Sequence, residues 1–347
     1  MRRHSLPLLA TLIPLSLALT ACGGSSAADS GAATAEGGAG SGARVTLSVG
    51  DQKGGNESLL KAAGELENLD YTIKWSTFTS GPPLLEAVNA KAVDIGGVGN
   101  TPPVFAAAAK SKITVVAATH GSSAGEAILV PKGSALRSAA DLRGKKIAVA
   151  QGSSAHFQLI ASLEQAGLKP ADVTIGFLQP ADALAAFNSG SVDAWAVWDP
   201  YTSQVLRTGA RVLTSGEGLV NGLGFQVAAP AALEDAGKSK AVGDYLKRLQ
   251  RAQDWVFKHP EEWAEVWAKE AGLPYEVALD AVRRSNGTRV PVAVDDAAVA
   301  SEQKIADTFT DLKLIPGKVA FKDFVDPRFN GGLPPSTTAP RTYGKDS

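Results

Sequence analysis

From Arg44 onward the chain alternates short apolar runs with stretches of helical period. RVTLSVG is alternating and β-branched, and it passes through the glycine-rich DQKGGN into the helical pattern of ESLLKAAGELEN. That is a strand followed by a helix. The unit repeats as YTIKWSTF with TSGPPLLEAVNAKA and as VDIGGVG with NTPPVFAAAAKS, before ITVVAATH closes the set. A second set reads KKIAVA with QGSSAHFQLIASLEQAGL, VTIGFL with QPADALAAFNSG, and VDAWAVW with DPYTSQVLRTG. Such alternation predicts parallel sheets with helices on both faces, and two sets predict two α/β lobes.

Two further runs, GEAILV and GFQVAA, carry few polar side chains and follow the first and second sets. They are read as strands that cross between the lobes near Ile128 and Gln226, which would let the protein hinge. The expected division is 44–129 for the first part of lobe 1, 130–224 for lobe 2, and 225–347 for the return to lobe 1 with its C-terminal helices. In that tail Pro260 marks a helix start, and Trp255, Trp263 and Trp267 are expected to pack on the first sheet.

The segment before Arg44 has a different character. Two arginines precede an apolar run from Leu6 to Leu19, shorter than the roughly 20 residues a bilayer span needs, so residues 1–21 read as a cleaved secretory leader. Leu19-Thr20-Ala21-Cys22 resembles the bacterial lipobox, which implies lipidation of Cys22, the only cysteine in the chain. Residues 22–43 hold no large apolar side chain and form a flexible tether, with a span of roughly 25 Å for a coil of that length. The expected location is extracytoplasmic, lipid-anchored to the cell membrane.

Charge is balanced, with a formal net of −1, and no basic stripe points to nucleic acid. One cysteine excludes an internal disulfide and any cysteine metal cluster. No cofactor and no metal is expected.

The strand-to-helix junctions GDQKGGN, TFTSGPP, GVGNTPP, AQGSSAH, LQPAD and WDPYT are rich in capping residues and in proline at the first helical turn. In an open α/β sheet they gather at the carboxyl edge, where ligands bind. Helix N-termini there offer unpaired N–H groups and about half a positive charge each, enough to build an anion site without lysine or arginine. Gly152, Ser153, Ser154 and His156 are the sharpest such candidates, with the alternative that the serines only cap their own helix and His156 covers the turn. Trp195 and Trp198 fall on opposite strand faces, with Trp198 placed toward the cleft and Asp199 read as a helix cap. Catalysis is disfavoured. Of four histidines one, His4, is in the leader, no G-x-S-x-G elbow or paired-histidine motif is present, and GGVGN is not a dinucleotide loop. No catalytic residue is assigned.

These same stretches, QKGGN, FTSGPPLLEAVNAKAVDIGGVGNTPPVFAAAA, GEAILVPKGS, LRGKKIAVAQGSSAHFQLIASLEQAGL and GSVDAWAVWDPY, resemble the aliphatic sulfonate-binding proteins of ABC importers from about Val45 to ADTFTDLKLIP. The resemblance implies a two-lobed periplasmic-binding-protein fold of type II character, with the ligand in the cleft between lobes joined by two crossover strands. It also implies a monomer that takes a small organic anion, an alkyl sulfonate foremost, to an ABC permease and its ATPase. Taurine, nitrate and thiamine-precursor binders are similar in fold. By this resemblance Gln52, Ser80, Gly81, Thr101, Gly152, Ser153, Ser154, His156 and Trp198 are candidate contacts, with Phe78, Phe157 and Trp198 as an apolar wall. The chain departs from G-[DE]-A-P-P by having Asn100 and Thr101, which weighs against a cationic amine, and GSSAGEAILV is an unusual approach to its strand. Sulfinate desulfinases resemble the same fold but use a cysteine in the cleft, and Cys22 is accounted for by the lipobox.

Overall fold

The computed structural model describes residues 44–53 and 55–344. The leader, Cys22 and the tether lie outside the described residues. In the first set, β1 (Thr46–Gln52), α1 (Asn56–Ala62), β2 (Thr72–Phe78), α2 (Gly81–Asn89), β3 (Ile95–Gly99), α3 (Thr101–Ala108) and β4 (Thr114–His120) follow in order. The second set comprises β5 (Ala127–Val130), β6 (Lys146–Val149), α4 (Ser154–Gln165), β7 (Thr174–Phe177), α5 (Pro180–Asn188), β8 (Ala194–Val197), α6 (Tyr201–Leu206) and β9 (Arg211–Ser215). The chain then returns through β10 (Leu223–Ala228), α7 (Pro230–Glu234), α8 (Ala236–Lys258), α9 (Pro260–Ala271), α10 (Tyr275–Arg284), β11 (Val290–Val292) and α11 (Asp296–Asp311).

The strands form a six-stranded sheet, β11-β4-β10-β3-β1-β2, and a five-stranded sheet, β7-β6-β8-β5-β9. Helices cover both faces of the first. On one side α2, α3 and α11 bury Leu84, Leu85, Val104 and Phe309; on the other α1, α8, α9 and α10 bury Leu59, Tyr245 and the stacked pair Trp263 and Trp267, whose rings lie 5.7 Å apart. Those two tryptophans sit where the sequence puts them. Trp255 is half-buried at the edge of the same cluster, stacked on His259 at 4.9 Å. The second sheet is covered by α4 on one face and by α5 and α6 on the other.

Two expectations are corrected. The sheets are mixed rather than parallel: β10 runs antiparallel to β3 and β4, and β5 antiparallel to β8 and β9. Each of these strands arrives from the other lobe and so enters its sheet at the carboxyl ends of the parallel strands. The crossings themselves are not at Ile128 and Gln226, because β5 pairs wholly within the second sheet and β10 wholly within the first. The expected boundaries at 129/130 and 224/225 therefore fall inside strands. The chain passes between sheets over residues 121–126 and 216–222, and the two passes run side by side: Gly121 N–H donates to the Gly222 carbonyl at 3.0 Å and Gly216 N–H to the Glu126 carbonyl at 2.7 Å. Strands β9 and β11 have no counterpart in the sequence reading. Both are edge strands, and β11 holds Pro291, which an edge tolerates because it has no N–H to offer a neighbour.

Candidate functional site

A cavity of about 230 Å³ opens between the two sheets, bounded by the carboxyl ends of the first sheet's strands, both crossing segments and the start of α4. Of the candidate contacts, Gln52, Gly81, Ser153, Ser154 and Trp198 line it. Gln52 is held by its own Nε2, which donates to the Gly97 carbonyl at 2.9 Å. Trp198 is half-buried at the mouth, while Trp195 is fully buried in the second lobe; the opposite-face reading holds.

Ser80, Thr101, Gly152 and His156 are placed elsewhere. Ser80 Oγ donates across the lobes to Gln179 Oε1 at 2.9 Å, beside Thr79 Oγ1 at 3.0 Å, so its hydroxyl already serves α5's start. Thr101 is buried and donates to Asn100 Oδ1 at 2.9 Å. Gly152 adopts φ 72°, a conformation that favours glycine, and its open side is filled by the Phe105 ring, 3.1 Å from where a Cβ would stand. His156 turns away from the cavity. Its ring centroid lies 5.9, 5.3 and 5.1 Å from those of Phe105, Phe177 and Phe309, so it sits in an aromatic seam between α3 and α11 of one lobe and α4 and β7 of the other. Gly152 N–H donates to His156 Nδ1 at 3.2 Å, which puts the ring proton on Nε2, and burial pushes the imidazole down to about 4.

The apolar wall is likewise revised. Phe78 and Phe157 pack against the first lobe's core, and the cavity's apolar surface comes instead from Val98, Leu223, Phe225 and Tyr201 together with Trp198. The helix starts differ in what they leave free. At α1 the Asp51 carboxylate accepts from the N–H groups of Gln52, Asn56 and Glu57 at 2.9, 2.8 and 3.0 Å, so that terminus is spent on the protein itself. Burial nonetheless raises Asp51 to about 6. At α4, Ser153 Oγ donates to the Ala150 carbonyl at 2.7 Å and accepts from His156 N–H at 3.3 Å. It is the cap, as the alternative reading had it, while Ser154 faces the cavity. Asp199 caps as expected, accepting from Ser203 N–H at 2.9 Å and Ser203 Oγ at 2.6 Å; it also faces the cavity, takes Ser285 Oγ at 3.2 Å, and is raised by burial.

Sequence reasoning missed two of the cavity's charged residues, Glu126 and Arg289. Burial lifts the Glu126 carboxyl to about 7, against the opposing pull of the Ser154 hydroxyl and the Arg289 charge. Glu126 was legible only as a lone ionisable residue in the strand-like run GEAILV, and Arg289 falls in TRVPV, a stretch with no signal of its own.

The chain matches the model of the NMT1-like family over residues 56–269. A protein of Escherichia coli (strain K12) named as an aliphatic sulfonates-binding protein is 37% identical over 278 residues, covering 79% of this chain and 86% of that one. The chain belongs to the NMT1-like family, among the aliphatic sulfonate-binding proteins. The solved alkanesulfonate-binding protein of Xanthomonas axonopodis pv. citri, bound to MOPS, superposes with a TM-score of 0.74 at 34% identity, covering 82% of this chain and 99% of that one. This is the two-lobed periplasmic-binding-protein architecture that the family resemblance implies. The desulfurization enzyme DSZB shares the fold alone, with a TM-score of 0.60 at 17% identity over 82% of this chain and 97% of that one.

Proposed function

We propose that this protein is the extracytoplasmic substrate-binding component of an ABC importer, that it takes an aliphatic sulfonate into the cavity between its lobes, and that it hands the ligand to the membrane permease. The carrying observation is the cavity's chemistry. The start of α4 presents Ser154 and its free N–H groups beside Trp198 and Tyr201, which suits a group of three oxygens sharing one charge attached to a short apolar chain. At about 230 Å³ the cavity is below the roughly 300 Å³ at which drug-sized pockets begin, so the occupant is small. The protein acts as a monomer, held to the membrane by a lipid on Cys22 with residues 22–43 as tether. An enzymatic reading has no support in the cavity: the one cysteine of the chain is Cys22, so no thiol can serve there as the nucleophile the desulfinase reading requires.

The test is a thermal-shift screen of the purified protein against short alkanesulfonates, taurine, nitrate and a thiamine precursor, followed by calorimetry. Ligand at 100 times its dissociation constant should add about 2.7 kcal/mol of stability. Stabilisation by alkanesulfonates is expected, and a response confined to nitrate or the thiamine precursor would overturn the sulfonate assignment. A Cys22→Ser variant should move from the membrane to the soluble or secreted fraction, and its retention after a salt wash would overturn the anchor.

A further inference from the structure

Arg289 stands immediately ahead of β11 and faces the cavity. Two glycines make room for it. A Cβ at Gly224, on the cavity floor in β10, would lie 2.8 Å from its Nη1, and one at Gly121, in the first crossing segment, would lie 3.0 Å from its Cγ. Neighbouring arginines are satisfied: Arg207 holds Asp280 at 2.7 Å and Arg284 lies 3.8 Å from Asp199, while Arg211 donates to the Ser134 and Leu136 carbonyls at 3.0 and 2.8 Å. No salt bridge among the described residues reaches Arg289. Its guanidinium makes one hydrogen bond, from Nη1 to Thr119 Oγ1 at a long 3.4 Å, although a guanidinium has five N–H donors in a planar fork that fits an oxyanion two at a time.

Glu126 belongs to the same crossing region, and its Oε2 is buried without any hydrogen-bond partner. The charge that pulls its carboxyl down against burial is that of Arg289. A cation with most of its donors unused thus shares the cavity with a carboxyl whose second oxygen is unused, and the two are not in contact.

We propose that Arg289 carries the charge that receives the ligand's anionic headgroup, and that the Glu126 carboxylate is the resident counter-ion which the headgroup replaces. This rests on the cavity being the anion site proposed above, and it adds a full charge to a site that helix termini alone would leave with partial ones. The exchange has a proton consequence. The arriving anion neutralises Arg289 and sets a second negative charge near Glu126, so Glu126 takes up a proton as the ligand binds. The other groups that share the cavity are Ser154 at the start of α4, Asp199 beside Gly125 and held by Arg284 and Ser285, and Asp51 at the end of β1 with Lys53 just past it. A carboxyl already raised to about 7 when empty, and higher when the site is filled, makes the affinity fall as the pH rises above 7, by up to about tenfold per unit.

The experiment is calorimetric titration of 1-butanesulfonate into the full protein, in phosphate and in imidazole, with sulfonate buffers avoided because they are themselves candidate ligands. Wild type should bind, weaken between pH 7 and 8.5, and show proton uptake as a difference in apparent heat between the two buffers. Arg289→Gln should bind about 30-fold or more weakly, the scale of losing one partner of a buried charge pair, and Arg289→Lys should recover much of that loss. Glu126→Gln should bind at pH 8 at least as tightly as wild type and lose the pH dependence. If wild type binds and Arg289→Gln stays within about threefold of it, or if lysine recovers nothing, the charge assignment is overturned while the sulfonate reading stands. A Glu126→Gln protein that keeps the wild-type pH dependence overturns the counter-ion half. Failure of wild type itself to bind any alkanesulfonate is the separate result that removes the function proposed above.

Discussion

Replacing His156 by glutamine should flatten part of the protein's acid sensitivity by a predictable amount. In the folded protein burial among Phe105, Phe177 and Phe309 pushes the imidazole from its ordinary 6.5 down to about 4. Between those values the unfolded chain binds a proton that the folded one does not, so stability falls as the pH falls from 6.5 toward 4. At about 1.4 kcal/mol per unit the gap sets a ceiling of about 3 kcal/mol, of which about 2 is already lost by pH 5. Raised carboxyls act the other way. Asp51, Glu126 and Glu302 bind protons in the folded state first and add stability as the pH falls, so the wild-type curve alone mixes both signs. The difference between wild type and His156→Gln isolates the histidine, since glutamine keeps an acceptor for Gly152 N–H and does not titrate. Urea unfolding at pH 8, 6, 5 and 4.5 should show wild type ahead at pH 8 and its lead shrinking by about 2 kcal/mol at pH 5. Parallel curves at all four values would mean that the ring is not held neutral in a closed aromatic seam, and the reasoning fails.

Gly152→Ala should cost about 1 to 2 kcal/mol in urea unfolding, since its φ of 72° disfavours a side chain and Phe105 occupies the space. Ser153→Ala should cost about 0.5 to 2 kcal/mol as a lost helix cap, with a smaller effect on ligand affinity measured by calorimetry. Glu302→Gln should be close to neutral at pH 5 and stabilising relative to wild type at pH 8, because the buried carboxyl titrates well above its ordinary range and its stability contribution is lost as the pH rises; thermal melts at the two values would show the sign. Gln179→Ala removes the acceptor of both cross-lobe hydroxyls and should expand the radius of gyration in small-angle scattering with little change in melting temperature.

Alternation and helical period carry no direction, and this is why the strand pairs of both lobes were legible while the antiparallel entry of β5 and β10 was not. RVLTS in β9 is too short and too polar to stand out, and VPV in β11 is a strand only because an edge accepts proline. The site shows a similar limit. Several of the junctions do line the cavity, but the sequence cannot say whether a helix terminus is spent on its own protein. Asp51 lies ahead of the QKGGN turn and still satisfies α1, so the free terminus had to be found in space. His156 lies in the first turn of α4 at a position that could face either way; the phenylalanines that decide it come from α3, β7 and α11, distant in the chain. Arg289 and Glu126 share one cavity only because the first crossing and the start of β11 both flank the same opening.

What holds the lobes together bears on how much work a ligand must do. The cross-lobe pairs of Arg207 with Glu276 and Asp280 are exposed, with the arginine side chain 42% accessible, and such pairs contribute about 0 to 1 kcal/mol. The two hydroxyls on Gln179 add about 0.5 to 1.5 kcal/mol each, and Ser285 on Asp199 is long at 3.2 Å. The aromatic seam around His156 is apolar and not strongly directional, so it can slide or part without leaving more than one polar atom unmatched, the Nε2 proton that is already without a partner. Polar closure contacts therefore amount to only a few kcal/mol. Moving a two-state equilibrium from 1:99 to 99:1 takes about 5.5 kcal/mol of differential affinity. In the site proposed above, a headgroup held by Arg289 together with both crossings and the start of α4 would supply that difference, because a ligand shifts the balance only by what it gains in one state and not the other.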